Sequence, residues 1–146
     1  MHENEISKII INAAIEIHKT LGPGLLESVY ESTLEYKLKK LGLNVKKQIA
    51  LPVVFEEIKL EAGYRIDLLI ENKVIIELKS VETILPVHKA QTLTYLKLSK
   101  LKLALLINFN VPLLKEGIKR FVNNLWVSLR FLANSAWNSY RKSMRI

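Results

Sequence analysis

The chain has 146 residues, of which 49% are hydrophobic and 25% are charged, so it has the size and composition of one folded domain and is neither disordered nor fibrous. It contains no cysteine, which excludes disulfide frameworks, thiolate zinc sites and cysteine nucleophiles. The net charge is +8 and is unevenly placed: residues 97–146 hold 10 Lys and Arg side chains against the single acid Glu116.

Two helices are predicted at the beginning of the chain. Isoleucine and alanine recur at helical spacing over residues 4–20, which predicts an amphipathic helix. The triplet 22–24, Gly-Pro-Gly, ends this helix, and a second helix is predicted from residue 25 to about residue 41. Gly42 is placed to end the second helix in the left-handed conformation.

The hydrophobic pattern then changes to the two-residue period of β-strands. Strands are predicted at residues 45–49, 51–55, 64–70 and 74–79. Pro52 indicates an edge strand or an irregularity in the second of them. The last two strands are expected to form a hairpin through residues 71–73.

The remaining elements complete an α/β pattern. Pro86 opens a predicted helix that runs to about Ser99, and residues 102–109 follow as a buried central strand because their apolar run is unbroken. A short helix is predicted at residues 113–123. We therefore expect one α/β domain, residues 1–125, with a mixed central sheet flanked by helices.

Three side chains on the predicted hairpin form a candidate site. Alternation places Glu77 and Lys79 on one face of their strand, and a hairpin centred on Asn72 places Asp67 opposite Glu77. Two neighbouring, partly buried carboxylates repel each other, and a single lysine compensates one of them. A Mg²⁺ ion would resolve the conflict, activate a water and stabilise charge on a phosphate. The alternative is a surface ion pair across the strands, which is common and weak.

Further motifs lie on the helices. Gly24 ends the Gly-Pro-Gly break, and Glu27 and Tyr30 follow it at a spacing of three residues. Gln91 and Tyr95 share one face of a later helix at a spacing of four residues. Taken singly, each has a structural explanation: Glu27 stabilises a helix dipole, Tyr30 packs in the core, and Tyr95 is a half-buried side chain beside a polar one.

Together these residues resemble the GxxExxY protein family, a branch of the PD-(D/E)XK nuclease superfamily. Four segments carry the resemblance in order: IHKTLGPGLLESVYE, GYRIDLLIENKVIIELKSVE, HKAQTLTYLKLS and LLINFNVPLLKEGIKR. The resemblance implies a nuclease-like fold, with Asp67 and Glu77 as metal ligands and Lys79 as the catalytic lysine. Ile66 stands where the superfamily name has proline, which is a departure from the pattern.

The resemblance also implies roles for residues on the helices. Glu27 would be an acid at the edge of the site that reaches the metal through a water. Gln91 and Tyr95 are similar to the QxxxY element of RecB-like nucleases, which braces the site and contacts the substrate.

The sequence therefore predicts a Mg²⁺-dependent phosphodiesterase, able to use Mn²⁺, that acts on nucleic acid, with DNA favoured over RNA. The basic second half of the chain, with Lys97 and Lys100, is expected to bind the phosphate backbone. An anionic membrane surface or a solvated lysine face would also explain this charge. The rival hypothesis is a non-catalytic nucleic-acid-binding or interaction module on the same fold. Many relatives dimerise, and a homodimer stays open here.

Residues 126–146 form a basic amphipathic tail in which Trp126, Leu129, Ala133, Trp137 and Tyr140 recur at helical spacing. This tail could dock as a helix, clamp nucleic acid or fray. An acidic N-terminus and the absence of a long apolar run favour a cytoplasmic protein without a membrane span.

Overall fold

A computed structural model of the protein describes residues 1–123. Within this range the helices are α1 (Glu3–Leu21), α2 (Glu27–Lys40) and α3 (Pro86–Ser99). The strands are β1 (Val45–Ala50), β2 (Val53–Phe55), β3 (Ile58–Leu60), β4 (Arg65–Ile70), β5 (Val74–Lys79), β6 (Leu103–Asn108) and β7 (Ile118–Val122). The predicted tail, residues 126–146, lies outside the described residues.

The described part of the chain contains a mixed five-stranded sheet in the order β1-β4-β5-β6-β7. Strands β5 and β6 are parallel, and the other neighbouring strands are antiparallel. The parallel pair requires a crossover connection, which α3 provides. This topology brings the C-terminal ends of β5 and β6, at Lys79 and Asn108, to the same edge of the sheet.

Helices cover both faces of the sheet. Helices α1 and α2 pack on one face, where Ile10, Leu34 and Leu105 belong to one buried cluster. Helix α3 packs on the other face, where Leu96 and Leu106 belong to a second cluster. The predicted α/β domain with a mixed sheet between helices is confirmed, and the unbroken apolar run of β6 is explained by burial on both sides.

One predicted element is wrong. Instead of a helix over 113–123, the chain forms a 3₁₀ turn at Leu114–Gly117 followed by strand β7. The apolar side chains of Leu114, Ile118 and Val122 repeat every four residues and therefore fit a helix as well as a strand. The free edge of β6 decides between the two, because β7 pairs with it along its whole length, from Ile118 to Val122.

The predicted strand at residues 51–55 also differs from the structure. It shortens to β2 and pairs with β3 in a separate two-stranded sheet, so Pro52 precedes the strand. Elsewhere the predicted helices and strands agree with the structure within two residues at each end. No helix within residues 1–123 is long and apolar enough to cross a membrane.

The 3₁₀ turn explains a strict need for glycine at position 117. A Cβ atom at Gly117 would lie 2.1 Å from the carbonyl oxygen of Asn108, which is a backbone atom at the end of β6. We expect Gly117→Ala to lower the free energy of unfolding by about 3 kcal/mol, because the backbone must move to admit the methyl group. Gly63→Ala is the matched control: its Cβ would meet open space and its cost of about 1 kcal/mol would come from the positive φ alone. Urea denaturation of both variants measures the difference, and equal losses would contradict the close contact.

Candidate active site

The β4–β5 hairpin brings Asp67 and Glu77 together. Its pairing includes Leu68 opposite Ile76, which confirms the register predicted from a turn centred on Asn72. The β-ladder between the two strands ends at this pair. Beyond it, backbone N–H groups donate to side-chain carboxylates. The Asp67 N–H donates to Glu77 Oε1 at 3.1 Å, and the Leu78 N–H donates to Asp67 Oδ2 at 2.8 Å.

Strand β4 changes its orientation at Asp67. Ile66 belongs to the cluster under α3, whereas Leu68 belongs to the cluster under α1 and α2, although strict alternation would place both on one face. Asp67 therefore lies at a break in the strand. The two carboxyl groups meet as predicted, but not as a regular cross-strand pair.

The environment of Glu77 is unfavourable for a charged group. Its side chain is 5% exposed. Burial, followed by repulsion from Asp67, raises the pKa of Glu77 to about 8, against the opposing effects of the Asp67 N–H and Lys79. Burial also raises the pKa of Asp67, although the Leu78 N–H and Lys79 oppose the rise. At neutral pH the protein alone therefore holds a proton on Glu77.

Lys79 ends β5 beside both carboxyl groups. It is half-buried and lowers the pKa of Asp67 and of Glu77, so its ammonium is close enough to act on each. Its carbonyl oxygen accepts a hydrogen bond from the Phe109 N–H at 2.9 Å, which extends the pairing of β5 with the chain after β6. The three residues predicted on the hairpin thus form one cluster.

The Gly24–Glu27–Tyr30 motif builds the entrance to α2. The Tyr30 side chain is fully buried and stacks on Phe109 with ring centroids 4.2 Å apart. Its hydroxyl donates to the Gly22 carbonyl oxygen at 2.5 Å and accepts from the Leu25 N–H at 3.2 Å, which ties down the turn before the helix. Gly24 has a φ of +92°, a conformation that favours glycine.

Glu27 begins α2 where this turn ends. It is exposed, and its charge raises the pKa of Asp67, so it lies near the cluster as predicted. The Ser80 hydroxyl donates to the Leu25 carbonyl oxygen at 2.6 Å and joins the turn to the end of β5. An open cleft of about 530 Å³ lies at this junction and is lined by Gly24, Leu25, Leu26, Glu27, Ser28, Ser80 and Asn110.

Gln91 and Tyr95 approach from α3. The Gln91 Nε2 atom donates to the Tyr95 hydroxyl at 2.8 Å, and the Tyr95 ring packs edge-on against Tyr64 at 5.9 Å. Burial, followed by the nearby charges of Glu77 and Asp67, raises the pKa of Tyr95. Tyr95 therefore lies near the cluster on the α3 side, and the bracing role of the pair stays a prediction. Tyr95 is 3% exposed, and its contact with a substrate stays a prediction.

Lys97 and Lys100 lie at the far end of α3. Both are exposed, and Lys100 caps the helix in the left-handed conformation. Neither is among the groups that shift the pKa of Asp67 or Glu77. Their role in binding a nucleic-acid backbone stays a prediction.

Three residues near the cluster were not predicted from the sequence. Glu31 lies one turn after Glu27, and its pKa is raised by burial and then by Asp67. The i, i+4 spacing of the two acids was a usable signal. Gln48 contacts both Glu31 and Asp67, and nothing in the local sequence of β1 indicates it.

Asn108 is the third of these residues and orders the loop after β5. It is buried, accepts from the N–H groups of Val81 and Asn110, and donates to the Val81 carbonyl oxygen. An asparagine at a strand end indicates a turn, and only the parallel pairing of β5 with β6 shows which loop it holds.

The donor set fits a hard divalent cation with few protein ligands. Among residues 1–123, no three His, Cys, Asp or Glu side chains converge as a complete metal site. Asp67 and Glu77 supply a pair of carboxylates, and Mg²⁺ binds through one or two carboxylates together with waters and substrate phosphates. Glu27 as a third ligand through water stays a prediction.

The raised pKa of Glu77 predicts an unusual pH dependence of stability in the absence of a cation. Between about pH 4.5 and 8 the unfolded chain has lost this proton while the folded chain retains it, so the free energy of unfolding falls as pH rises and levels off above 8. Glu77→Gln removes the titrating group and keeps an oxygen that can accept from the Asp67 N–H. We expect it to be more stable than the unaltered protein, by an amount that grows from pH 5 to pH 8. Thermal melts in EDTA across this pH range test this expectation. A difference in melting temperature between the two proteins that does not change with pH would contradict it.

The sequence of this chain matches a known protein family. A family model described as the PD-(D/E)XK nuclease superfamily matches residues 4–121, which include the five-stranded sheet except the last residue of β7. No curated protein and no solved structure shows significant similarity to the chain. The mixed sheet between helices agrees with the family match. The chain therefore belongs to the PD-(D/E)XK nuclease superfamily.

Proposed function

We propose that the protein is a Mg²⁺-dependent nuclease that hydrolyses phosphodiester bonds in nucleic acid, with DNA favoured over RNA and Mn²⁺ as a substitute cation. The observation that carries the proposal is the burial of Glu77 against Asp67, with Lys79 beside both. Burying a second acid beside Asp67 lowers stability and requires a proton on Glu77 near neutral pH. The arrangement is useful when a cation replaces the proton on Glu77.

Each residue of the cluster has a distinct part in this proposal. Asp67 and Glu77 would hold the cation, and Glu27, at the start of α2, would act on it through a water. A bound Mg²⁺ supplies a water of lowered pKa and neutralises charge on the phosphate. Lys79 orients the attacking water and compensates the negative charge that develops on the phosphoryl oxygens.

The surroundings of the cluster position the substrate. Gln91 and Tyr95 brace Glu77 from α3, and the cleft at the start of α2 offers room for a nucleic-acid strand beside Glu27. Lys97 and Lys100 bind the backbone farther along α3. The complete Gly24–Glu27–Tyr30 motif supports placing the chain in the GxxExxY branch of the superfamily. A cytoplasmic location belongs to the same proposal, and sedimentation velocity decides between monomer and homodimer.

Cation binding is the first consequence to test. A cation that binds only the folded protein stabilises it by mass action, so millimolar Mg²⁺ or Mn²⁺ should raise the melting temperature of the unaltered protein. Glu77→Ala should abolish this rise. Glu57→Ala, which removes an exposed acid in the turn between β2 and β3, is the matched control and should retain it. Equal responses in the two variants would remove Glu77 from the metal site.

Cleavage separates a nuclease from a binding module. With Mg²⁺ and a labelled DNA duplex or single strand, we expect Glu77→Ala and Lys79→Ala to lose cleavage by at least about 100-fold, while Glu77→Ala binds uncleaved DNA in EDTA as well as the unaltered protein or more tightly. The reason is that the Glu77 carboxyl group serves the cation and not the contact with the phosphate backbone. A protein that binds DNA and never cleaves it, with or without these side chains, would favour the binding module.

Salt dependence tests the role of the basic residues. Binding of uncleaved DNA should weaken linearly in a plot of log affinity against log salt concentration. Lys97→Ala and Lys100→Ala should each reduce the slope by about 1, because each removes one phosphate contact. Lys8→Ala, on α1, serves as a control and should leave the slope unchanged. Affinity independent of salt would exclude a backbone-binding surface.

A further inference from the structure

Strand β1 has an irregularity directly opposite Asp67. Lys47 pairs with Leu68 and Ile49 pairs with Ile66, but Gln48, which lies between them, is not paired with Asp67 in the ladder. The backbone of Gln48 has a φ of +53°, in the left-handed region that side chains other than glycine and asparagine rarely adopt. Such conformations persist where the surrounding structure imposes them, and they are frequent at functional sites.

The side chain of Gln48 lies between two carboxylates. Its Nε2 atom donates to Glu31 Oε2 at 2.9 Å and to Asp67 Oδ1 at 3.5 Å. The amide has one orientation that suits this place, because turning its oxygen toward two carboxylates would replace two attractions by two repulsions. The short bond to Glu31 therefore fixes which end of the amide faces Asp67.

The contacts of Asp67 define the orientation of its carboxylate. Oδ2 is held by the Leu78 N–H at 2.8 Å, and Oδ1 faces the Gln48 amide. The two donors come from β5 and from β1, on either side of β4. Each carboxylate oxygen keeps a further lone pair, so this arrangement restrains the rotation of the group and leaves it able to bind a cation.

We propose that Gln48 is a positioning residue of the candidate metal site, with its carboxamide fixed by Glu31 and directed at the Oδ1 atom of Asp67. The proposal rests on the proposed function, because the orientation of Asp67 matters for a cation that binds there. Partners that orient a metal ligand contribute about 10- to 100-fold to metal affinity. The long Gln48–Asp67 contact places Gln48 at the lower end of this range.

A purely structural role would have a different signature. The Gln48–Glu31 bond also joins β1 to α2, so its loss could lower stability without touching the site. Cation affinity and the melting temperature of the cation-free protein must therefore be measured separately. Gln48→Asn is the appropriate variant, because asparagine tolerates a positive φ and its shorter amide cannot span both carboxylates. Gln48→Gly, which adopts this backbone without strain, repeats the test with no side chain.

The measurement is the dissociation constant of Mn²⁺ for the full chain, determined by electron paramagnetic resonance. We expect Gln48→Asn and Gln48→Gly to weaken binding by about 10-fold, with cation-free melting temperatures close to that of the unaltered protein. Lys46→Ala, an exposed change on the same strand, should leave binding unchanged.

A double-mutant cycle tests whether Glu31 acts through Gln48. Glu31→Ala should weaken Mn²⁺ binding about as much as Gln48→Asn does. The double variant should weaken it no further than either single variant, because all three variants break the same series of contacts from Glu31 through Gln48 to Asp67. Glu31→Gln retains an acceptor for the amide and should restore most of the affinity.

The outcomes separate this inference from the function on which it rests. The unaltered protein binds Mn²⁺ tightly if the proposed metal site exists. If the dissociation constant then changes by less than twofold in both Gln48 variants, the positioning role is overturned and the proposed nuclease stays intact. Additive losses in the cycle would overturn the link through Glu31. No Mn²⁺ binding by the unaltered protein would overturn the metal site and the role of Gln48 with it.

Discussion

The burial of the Glu77 carboxyl group against Asp67 is the constraint around which the rest of the structure is arranged. Removing one carboxylate from water is costly, and placing a second one beside it adds repulsion. The protein reduces this cost with backbone donors, the N–H groups of Asp67 and Leu78, and with the ammonium of Lys79. The remaining cost is visible in the raised pKa of Glu77, about 8, which favours the protonated acid when no cation is bound.

Three separate parts of the chain support this pair. The turn before α2 is fixed by Tyr30 and Ser80, and it presents Glu27 from one side. Helix α3 supplies Gln91 and Tyr95 from the other face. The tyrosine of the GxxExxY motif is thus a structural residue: its hydroxyl holds the turn and its ring stacks on Phe109, while the glutamate carries the charge.

The sheet explains why these parts meet at one edge. Because β5 and β6 are parallel, their C-terminal ends lie side by side, and the loops that follow them are joined by the buried amide of Asn108. Strand β7 closes the edge of β6, and β1 carries Gln48 to the opposite side of Asp67. In open α/β sheets, the carboxyl ends of the strands are where ligands bind, and the candidate site follows that rule.

Much of this protein was predictable from its sequence, because the decisive signals are local. Hydrophobic periodicity predicted the helices and most strands, and the position of Asn72 predicted the hairpin register that joins Asp67 to Glu77. Tertiary structure decided what local patterns leave ambiguous. Residues 118–122 fit a helix and a strand equally well, and the free edge of β6 made them a strand. The role of Gln48 depends on its left-handed backbone in β1 and on its hydrogen bonds to Glu31 in α2 and Asp67 in β4. These two residues lie 17 and 19 positions away along the chain. No sequence period encodes contacts of that kind, since they exist only once separate elements have packed together.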